Sequence, residues 1–180
     1  MEGIEEKIQP IKMLLMDVDG VMTDGGIFFG PGAMELRRFH VHDGIGIALA
    51  KAAGLLVGIL TSKDSEAVKR RAEDLGMDEI QQNFFYKEEG YQKILDKYGL
   101  KDEEIAYVGD DILDIPILQR VGLSICVADA AEEVKSVSHY VTRRKGGEGA
   151  IREVVAILLN GLGKKEKAVT SILTPSRRRE

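Results

Sequence analysis

The clearest indication of the fold lies near the start of the chain, in Ile11-Lys12-Met13-Leu14-Leu15-Met16-Asp17-Val18-Asp19-Gly20-Val21-Met22-Thr23-Asp24. This stretch begins as a short apolar run, residues 11–16, which is typical of a buried strand, and it continues into three aspartates. The apolar run at residues 105–108 is likewise followed by Gly109-Asp110-Asp111-Ile112-Leu113-Asp114. Carboxylates placed just past strand ends lie at the carboxyl edge of a parallel sheet, where such folds bind ligands. The two acidic clusters therefore predict one site at one sheet edge.

Strand-like apolar runs alternate with helix-like segments as far as residue 159. This alternation predicts an α/β fold, a Rossmann-like parallel sheet with helices on both faces. Gly30-Pro31-Gly32 lies between Ile27-Phe28-Phe29 and residues 34–41, which predicts a β-hairpin over about residues 25–41, after the first strand. We expect a helix to open at Asp43-Gly44. Residues 1–163 then form one domain, and no segment is long enough to make a separate cap domain.

Composition indicates a cytoplasmic enzyme domain. The 180 residues carry a net charge of −5, but residues 164–180 hold six basic and two acidic residues, so this tail is +4 and the remainder is −9. We expect the basic tail to be disordered, and the acidic body argues against nucleic acid as the main ligand. No apolar stretch is long enough to span a bilayer, and no secretory signal is recognisable. The single cysteine, Cys126, lies in an apolar run and is expected to be buried.

The acidic clusters contain the residue types that phosphoryl transfer requires. Grouped carboxylates repel one another unless a cation offsets their charge, and hard oxygen ligands indicate Mg²⁺. Asp17 is a candidate nucleophile that would form an aspartyl-phosphate, and Asp19 is a candidate acid and base. Thr61 ends the second buried strand, where its hydroxyl and the following N–H groups could bind phosphate. Lys87 opens a later helix and supplies a cation.

In this order the residues resemble the haloacid dehalogenase superfamily of phosphatases. Asp-x-Asp-Gly, then Thr, then Lys, then Gly-Asp-Asp-x-x-Asp is the four-part pattern of that superfamily. The runs Asp17-Val18-Asp19-Gly20-Val21-Met22-Thr23-Asp24-Gly25, Phe39-x-x-x-Asp43-Gly44-x-Gly46-Ile47 and Gly146-Gly147-Glu148-Gly149-Ala150-Ile151-Arg152-Glu153 are similar to its small uncapped branch. That branch is typified by 3-deoxy-D-manno-octulosonate 8-phosphate (KDO 8-phosphate) phosphatases of lipopolysaccharide biosynthesis.

The resemblance implies roles for particular residues. Metal ligands would be Asp17, Asp110 and the backbone carbonyl of Asp19, with Asp111 supporting the metal's water shell and Asp114 orienting Lys87. The catalytic residues would be Asp17, Asp19 and Lys87. Candidate phosphate- and substrate-binding residues are Gly20, His42, Thr61, Ser62 and Lys63. Members of this branch form homotetramers in which the hairpin packs against neighbouring subunits, so the partners implied are a sugar-acid phosphate and further copies of this chain.

Several assignments stay open at the level of sequence. The chain has Thr61-Ser62-Lys63 where members commonly read Thr-Gly-Arg, and His42 where many have Arg, so the sugar-acid phosphate is not determined. His40 and His42 would share one face of the hairpin's second strand. Asp111 and Asp114 could instead be cap and first-turn residues of the next helix, and residues 146–149 could be a simple turn or a loop near the phosphate site. Another small-phosphate phosphatase, a receiver-like domain and a non-catalytic oligomeric module are the alternative functions.

Overall fold

The computed structural model describes residues 3–32 and 34–174. Its strands are β1 (Met13–Met16), β2 (Phe28–Phe29), β3 (Glu35–Leu36), β4 (Leu56–Leu60), β5 (Glu79–Gln81), β6 (Ile105–Gly109), β7 (Leu123–Cys126) and β8 (Tyr140–Val141). Its helices are α1 (Ile4–Ile8), α2 (Val41–Ala52), α3 (Glu66–Asp74), α4 (Lys87–Tyr98), α5 (Ile115–Leu118), α6 (Glu132–Val137), α7 (Ala150–Gly161) and α8 (Lys165–Leu173).

Six of the strands form a parallel sheet in the order β5-β4-β1-β6-β7-β8. The chain runs from β1 outward to β4 and β5, then crosses back to β6 and continues to β7 and β8. Because β-α-β crossovers are right-handed, the helices of these two directions lie on opposite faces of the sheet. The predicted doubly flanked α/β fold is confirmed.

The centre of the sheet is almost entirely apolar. Every residue of β1 and β6 is buried, as expected for parallel strands that are covered on both faces. Helix α2 packs against α7 and α8 on one face, and α5 packs against α4 and α6 on the other. Cys126 is fully buried in β7, as the apolar run predicted. Within residues 3–32 and 34–174, no helix combines the length and apolar character that crossing a bilayer requires.

The hairpin is present but shorter than predicted. Strands β2 and β3 pair in antiparallel register, and an isolated bridge joins Thr23 to Phe39 at the base. The second strand was expected to reach Val41, but α2 already begins there, with His40 as its N-cap. His40 and His42 therefore do not share a strand face; their rings meet edge to face at the start of α2, with centroids 5.0 Å apart.

The carboxylate of Asp43 explains part of the run Phe39-x-x-x-Asp43-Gly44. Asp43 is buried in the first turn of α2, and its Oδ1 accepts a hydrogen bond of 2.8 Å from the backbone N–H of Arg152. Arg152 lies in the first turn of α7, whose N–H groups have no partner within the helix. Asp43 thus caps α7 from a distant part of the chain and ties the two helices together.

The prediction of a disordered tail from residue 164 is wrong for most of its length. Residues Lys165–Leu173 form α8, and Ala168 of this helix is fully buried. Short helices are marginal in isolation and gain their stability mainly from tertiary packing, here against α2. The three arginines of the tail, at 177–179, lie outside the described residues.

Candidate active site

The two acidic clusters lie next to each other at the carboxyl ends of β1 and β6, where the order in which the chain adds strands reverses. Strands β1 and β6 are neighbours, with Met16 paired to Val108, and the backbone N–H of Asp17 donates to the Val108 carbonyl over 2.9 Å. The chain leaves β1 towards β4 and leaves β6 towards β7, so the carboxyl ends of β1 and β6 form a topological switch point. Such crevices bind ligands in open α/β sheets.

A cavity of about 260 Å³ opens at this edge. It is lined by most of the residues that were predicted from the sequence to form the site, although they come from loops far apart in the chain. Its lining consists of Asp17, Asp19, Thr61, Ser62, Lys63, Lys87, Asp110, Asp111, Leu113 and Asp114. Gly20 and His42 are the two proposed site residues that are not part of this lining.

Lys87 is the buried cation of the site. Its Nζ lies 2.9 Å from Asp17 Oδ2 and 2.5 Å from Asp114 Oδ1, and the residue is only 3% exposed. Burial acts to lower the pKa of Lys87, but the charges of Asp17 and Asp114 outweigh it, and the net pKa is raised. Lys87 therefore stays protonated and balances carboxylate charge inside the cavity.

Asp114 organises the site through both of its oxygens. Oδ1 accepts from Lys87 and, over 2.7 Å, from the Tyr107 hydroxyl, while Oδ2 accepts from the backbone N–H groups of Asp110 and Asp111. The alternative of a helix-capping role fits Asp111 better, because its side chain accepts from the N–H of Ile112 at the start of a 3-10 turn. Tyr107 was not predicted; a tyrosine within a buried strand, which needs a partner for its hydroxyl, was the available signal.

Asp17 and Asp110 each keep one buried oxygen without a hydrogen-bond partner, the Oδ1 atom in both cases. Oxygens of Asp17, Asp110 and Asp114 come within 4.8 Å of one another, but those of Asp114 are already paired. Burial, reinforced by the neighbouring carboxylates, raises the pKa of Asp110 to about 8, and burial raises that of Asp17 to about 6. Two unpartnered carboxylate oxygens that repel each other form a donor set suited to a hard divalent cation.

These raised pKa values predict how stability depends on pH and on Mg²⁺. Above the usual aspartate pKa of 3.8 and up to about pH 8, Asp17 and Asp110 together bind more protons in the folded protein than in the unfolded chain, so these two groups should make the metal-free protein lose stability as pH rises through this window. Mg²⁺ needs both groups as carboxylates, so its stabilisation should grow towards pH 8. Urea unfolding at about pH 5 and about pH 8, with Mg²⁺ or with chelator, measures both effects.

Asp110→Asn is the matched variant for this prediction. It removes one of the repelling carboxylates, so it should stabilise the metal-free protein at about pH 8 and abolish most of the response to Mg²⁺. An undiminished Mg²⁺ response in Asp110→Asn would show that the cation binds elsewhere.

The Asp19 carboxylate is held by a residue that sequence reasoning missed. Arg37, directly after β3, donates from Nε to Asp19 Oδ1 over 2.6 Å and from Nη2 to Oδ2 over 3.0 Å. The sequence shows two adjacent arginines in the hairpin, and nothing in its local pattern distinguishes the one that reaches the site. The pairing with Arg37 involves only the side chain of Asp19. The metal contact predicted for its backbone carbonyl stays a prediction.

The backbone around Gly20 is packed too tightly for any side chain. Gly20 has a positive φ of 84°, and a Cβ there would lie 2.1 Å from Asp110 Oδ2. On the other side, a Cβ on Gly146 would lie 1.7 Å from the Gly20 carbonyl oxygen, and Gly147 donates to the Val21 carbonyl. The loop at residues 146–149 therefore packs against the loop after β1 and does not line the cavity.

Thr61, Ser62 and Lys63 follow β4 and lead towards α3. Thr61 is 3% exposed, and its backbone is held by Gln81 and Phe84, which places it at the cavity wall. Ser62 is half-buried and Lys63 is exposed at the mouth. Thr61, Ser62 and Lys63 thus lie where a phosphate site with a nearby cationic side chain is expected. His42, in contrast, is exposed on α2, and its ring contacts that of His40.

Comparison with known proteins agrees with this geometry. Residues 47–154 match the haloacid dehalogenase-like hydrolase family. The chain is 40% identical to the 3-deoxy-D-manno-octulosonate 8-phosphate phosphatase KdsC of Escherichia coli K12, over 90% of this chain and 86% of that protein. The Yersinia pestis enzyme of the same name superposes with a TM-score of 0.89 at 38% identity, covering 92% of this chain and 89% of the other.

A further solved structure contains ligands. The 3-deoxy-D-manno-octulosonate 8-phosphate phosphatase of Moraxella catarrhalis, in complex with a magnesium ion, a phosphate ion and KDO, superposes with a TM-score of 0.92. It is 33% identical, and the match covers 96% of this chain and 99% of the other.

Proposed function

The chain belongs to the haloacid dehalogenase-like hydrolase family, and we propose that it is a Mg²⁺-dependent phosphomonoesterase that acts through an aspartyl-phosphate. One observation carries the proposal: Asp17 is buried beside Lys87, and Asp17 and Asp110 both line the cavity and each keep one buried oxygen without a hydrogen-bond partner. A carboxylate that is shielded by a fixed cation and accessible from a cavity is suited to nucleophilic attack on phosphorus.

The reaction has two displacements at phosphorus. An Asp17 oxygen forms a bond to phosphorus while the ester P–O bond breaks, and the departing oxygen takes a proton from Asp19. Water then attacks the phosphorus of the aspartyl-phosphate, Asp19 takes a proton from that water, and inorganic phosphate leaves with Asp17 restored. Lys87 and the Thr61 region hold the phosphoryl oxygens. Asp17 and Asp110 would hold Mg²⁺, which when bound would supply positive charge against the transferring group.

For the substrate we propose KDO 8-phosphate or a related sugar-acid phosphate, which would place the enzyme in lipopolysaccharide biosynthesis in the cytoplasm. The names of the relatives support this substrate class. Lys63 at the cavity mouth offers a positive charge for a sugar-acid carboxylate, although as a point charge and not as the two-pronged donor that an arginine provides.

The test is Mg²⁺-dependent phosphate release from a substrate panel. It contains KDO 8-phosphate, 2-keto-3-deoxynononate 9-phosphate, neutral sugar phosphates and p-nitrophenyl phosphate, with Asp17→Asn as the inactive control. We expect a sugar-acid phosphate to be preferred by at least about tenfold in kcat/KM. Lys63→Ala should reduce that preference, and Lys69→Ala, a charge loss on the exposed side of α3, should leave it unchanged. Equal turnover across the panel would contradict the proposed substrate class while keeping the chemistry.

We further propose that the chain assembles as a homotetramer through the hairpin. Its strands expose Phe28, Phe29 and Leu36, and the connecting turn exposes Met34; Phe29 is 79% exposed. Four large apolar side chains exposed on one hairpin favour burial against another protein surface. Light scattering on the full chain should give four times the chain mass of 19.8 kDa, and a monomer would contradict this part of the proposal.

The alternative functions are separated by the same experiments. Membership in a hydrolase family removes the receiver-like alternative. A non-catalytic module would show no Asp17-dependent phosphate release, although the complete set of Asp17, Asp19, Thr61, Lys87 and Asp110 in one cavity region supports catalysis.

A further inference from the structure

The hairpin contributes a buried side chain to the site of its own chain. The Arg37 side chain is completely covered, while the Asp19 side chain that it holds is 24% exposed and faces the cavity. The two contacts, Nε to Oδ1 and Nη2 to Oδ2, form a two-pronged pair that determines the plane of the carboxylate as well as its location.

Arg37 is itself anchored by other elements. Its Nη1 donates to Ser65 Oγ over 2.8 Å and to the Glu35 carboxylate. Ser65 is the buried N-cap residue of α3, and Glu35 lies in β3. The guanidinium is therefore held from two sides and cannot follow Asp19 freely, so the orientation of Asp19 depends on where the hairpin and α3 place Arg37.

The adjacent arginine lies in a different environment. The Arg38 side chain is 62% exposed and pairs with Asp24 over 2.8 Å, on the outside of the loop after β1. Successive residues of an extended segment point to opposite sides, which explains why only one of the two arginines reaches Asp19. Arg38 is thus a matched control of the same type in the same segment.

We propose that Arg37 is a positioning residue that orients the Asp19 carboxylate for proton transfer. This inference rests on the proposed phosphatase function. Asp19 must serve both the departing oxygen and the attacking water, which occupy the same side of phosphorus in the two steps, so one fixed orientation serves both. Misplacing a reacting group by about 1 Å can reduce a rate by about 10²-fold.

The test compares Arg37→Ala, Arg37→Lys and Arg38→Ala in steady-state hydrolysis of the preferred sugar phosphate of the panel, whose alkoxide leaving group needs a proton. We expect Arg37→Ala to lower kcat by about 10²-fold with KM changed by less than about threefold, because phosphate binding relies on the Thr61 region and Lys87. Arg37→Lys should recover a substantial part of kcat, and added guanidinium ion should partly rescue Arg37→Ala. Arg38→Ala should match the wild type.

A second arm asks whether Arg37 acts through Asp19. In the Asp19→Asn background, Arg37→Ala should cause little further loss, because the group that Arg37 orients is already disabled. Should Arg37→Ala fail to fold, Arg37→Gln keeps a donor and most of the volume and carries the same expectation.

Three results would overturn the inference. They are an unchanged kcat in Arg37→Ala, a change in Arg37→Ala that is confined to KM, and a loss of kcat on adding Arg37→Ala to Asp19→Asn that is as large as the loss on adding it to the wild type. These differ from failure of the proposed function, in which the wild-type chain itself releases no phosphate in an Asp17-dependent manner, and the inference would then fall with it.

Discussion

Asp17→Asn is expected to lower kcat for phosphate release by at least about 10³-fold. The asparagine amide retains the shape of the carboxylate but has no charged oxygen to attack phosphorus. The loss should appear in kcat and not only in KM, because the cavity residues that bind phosphate remain in place. Steady-state kinetics with the preferred substrate measures the loss. Acid-quenched wild-type enzyme should carry phosphate on the peptide that contains Asp17, and the variant should carry none.

The folded state of Asp17→Asn should be intact. Burial already raises the pKa of Asp17 to about 6, so replacing this carboxylate by a neutral group removes a group that is costly to ionise. Lys87 is not left as an unpaired buried charge, because its ion pair with Asp114 remains. Asp24→Asn is the matched control, since Asp24 lies in the same loop but is exposed and pairs with Arg38. Activity of Asp17→Asn within tenfold of the wild type would exclude Asp17 as the nucleophile.

Lys87→Met should cost both stability and activity. Lys87 contacts two buried carboxylates, and removing one partner of a buried ion pair typically destabilises by about 3–5 kcal/mol. Methionine keeps the length of the side chain, so the loss reports charge and not a cavity. The free energy of unfolding from urea titration of the metal-free protein should fall by about 3 kcal/mol near pH 8. Phosphate release should fall by at least about 10²-fold.

The loss in Lys87→Met should depend on pH with a definite sign. Without the cation, the pKa of Asp17 rises further, so the folded state takes up a proton more readily, and acidification to about pH 5 should recover part of the stability. Lys93→Met on the exposed face of the same helix is the control. Because the Lys93 ammonium lies 4.8 Å from the centroid of the Phe84 ring, this variant should lose no more than about 1 kcal/mol. A loss that is equal at both pH values would contradict the electrostatic explanation.

Much of the fold and site could be predicted because its signals are local. A buried apolar run that ends in carboxylates specifies a strand and its functional end within a few residues, as for Asp17 after β1 and Asp110 after β6. Once alternation establishes a parallel sheet, all such ends face the same edge. Asp17, Thr61 and Asp110 follow strand ends, and Lys87 follows the third predicted strand of the sheet. These positions predicted that the four residues lie close together, and all four line the cavity.

Other features follow from contacts between distant segments. Helix α8 has little local signal and depends on packing against α2. The second hairpin strand was predicted too long because α2 already begins at Val41, with His40 as its N-cap, and the tertiary contact of Asp43 with α7 favours a helix over extended backbone.

The amino-acid pattern alone was enough to predict the parallel sheet, the edge that carries the site and most of the residues that line the cavity, because strand periodicity and parallel topology constrain positions without any knowledge of side-chain partners. Three features became visible only in the folded structure: Arg37 and not Arg38 holds Asp19, Tyr107 shares Asp114 with Lys87, and His42 stays outside the cavity. These partners are 7 to 27 residues apart in sequence or lie on different elements. Which of several equivalent charges reaches a buried carboxylate depends on the relative placement of packed elements, and local sequence does not encode that placement.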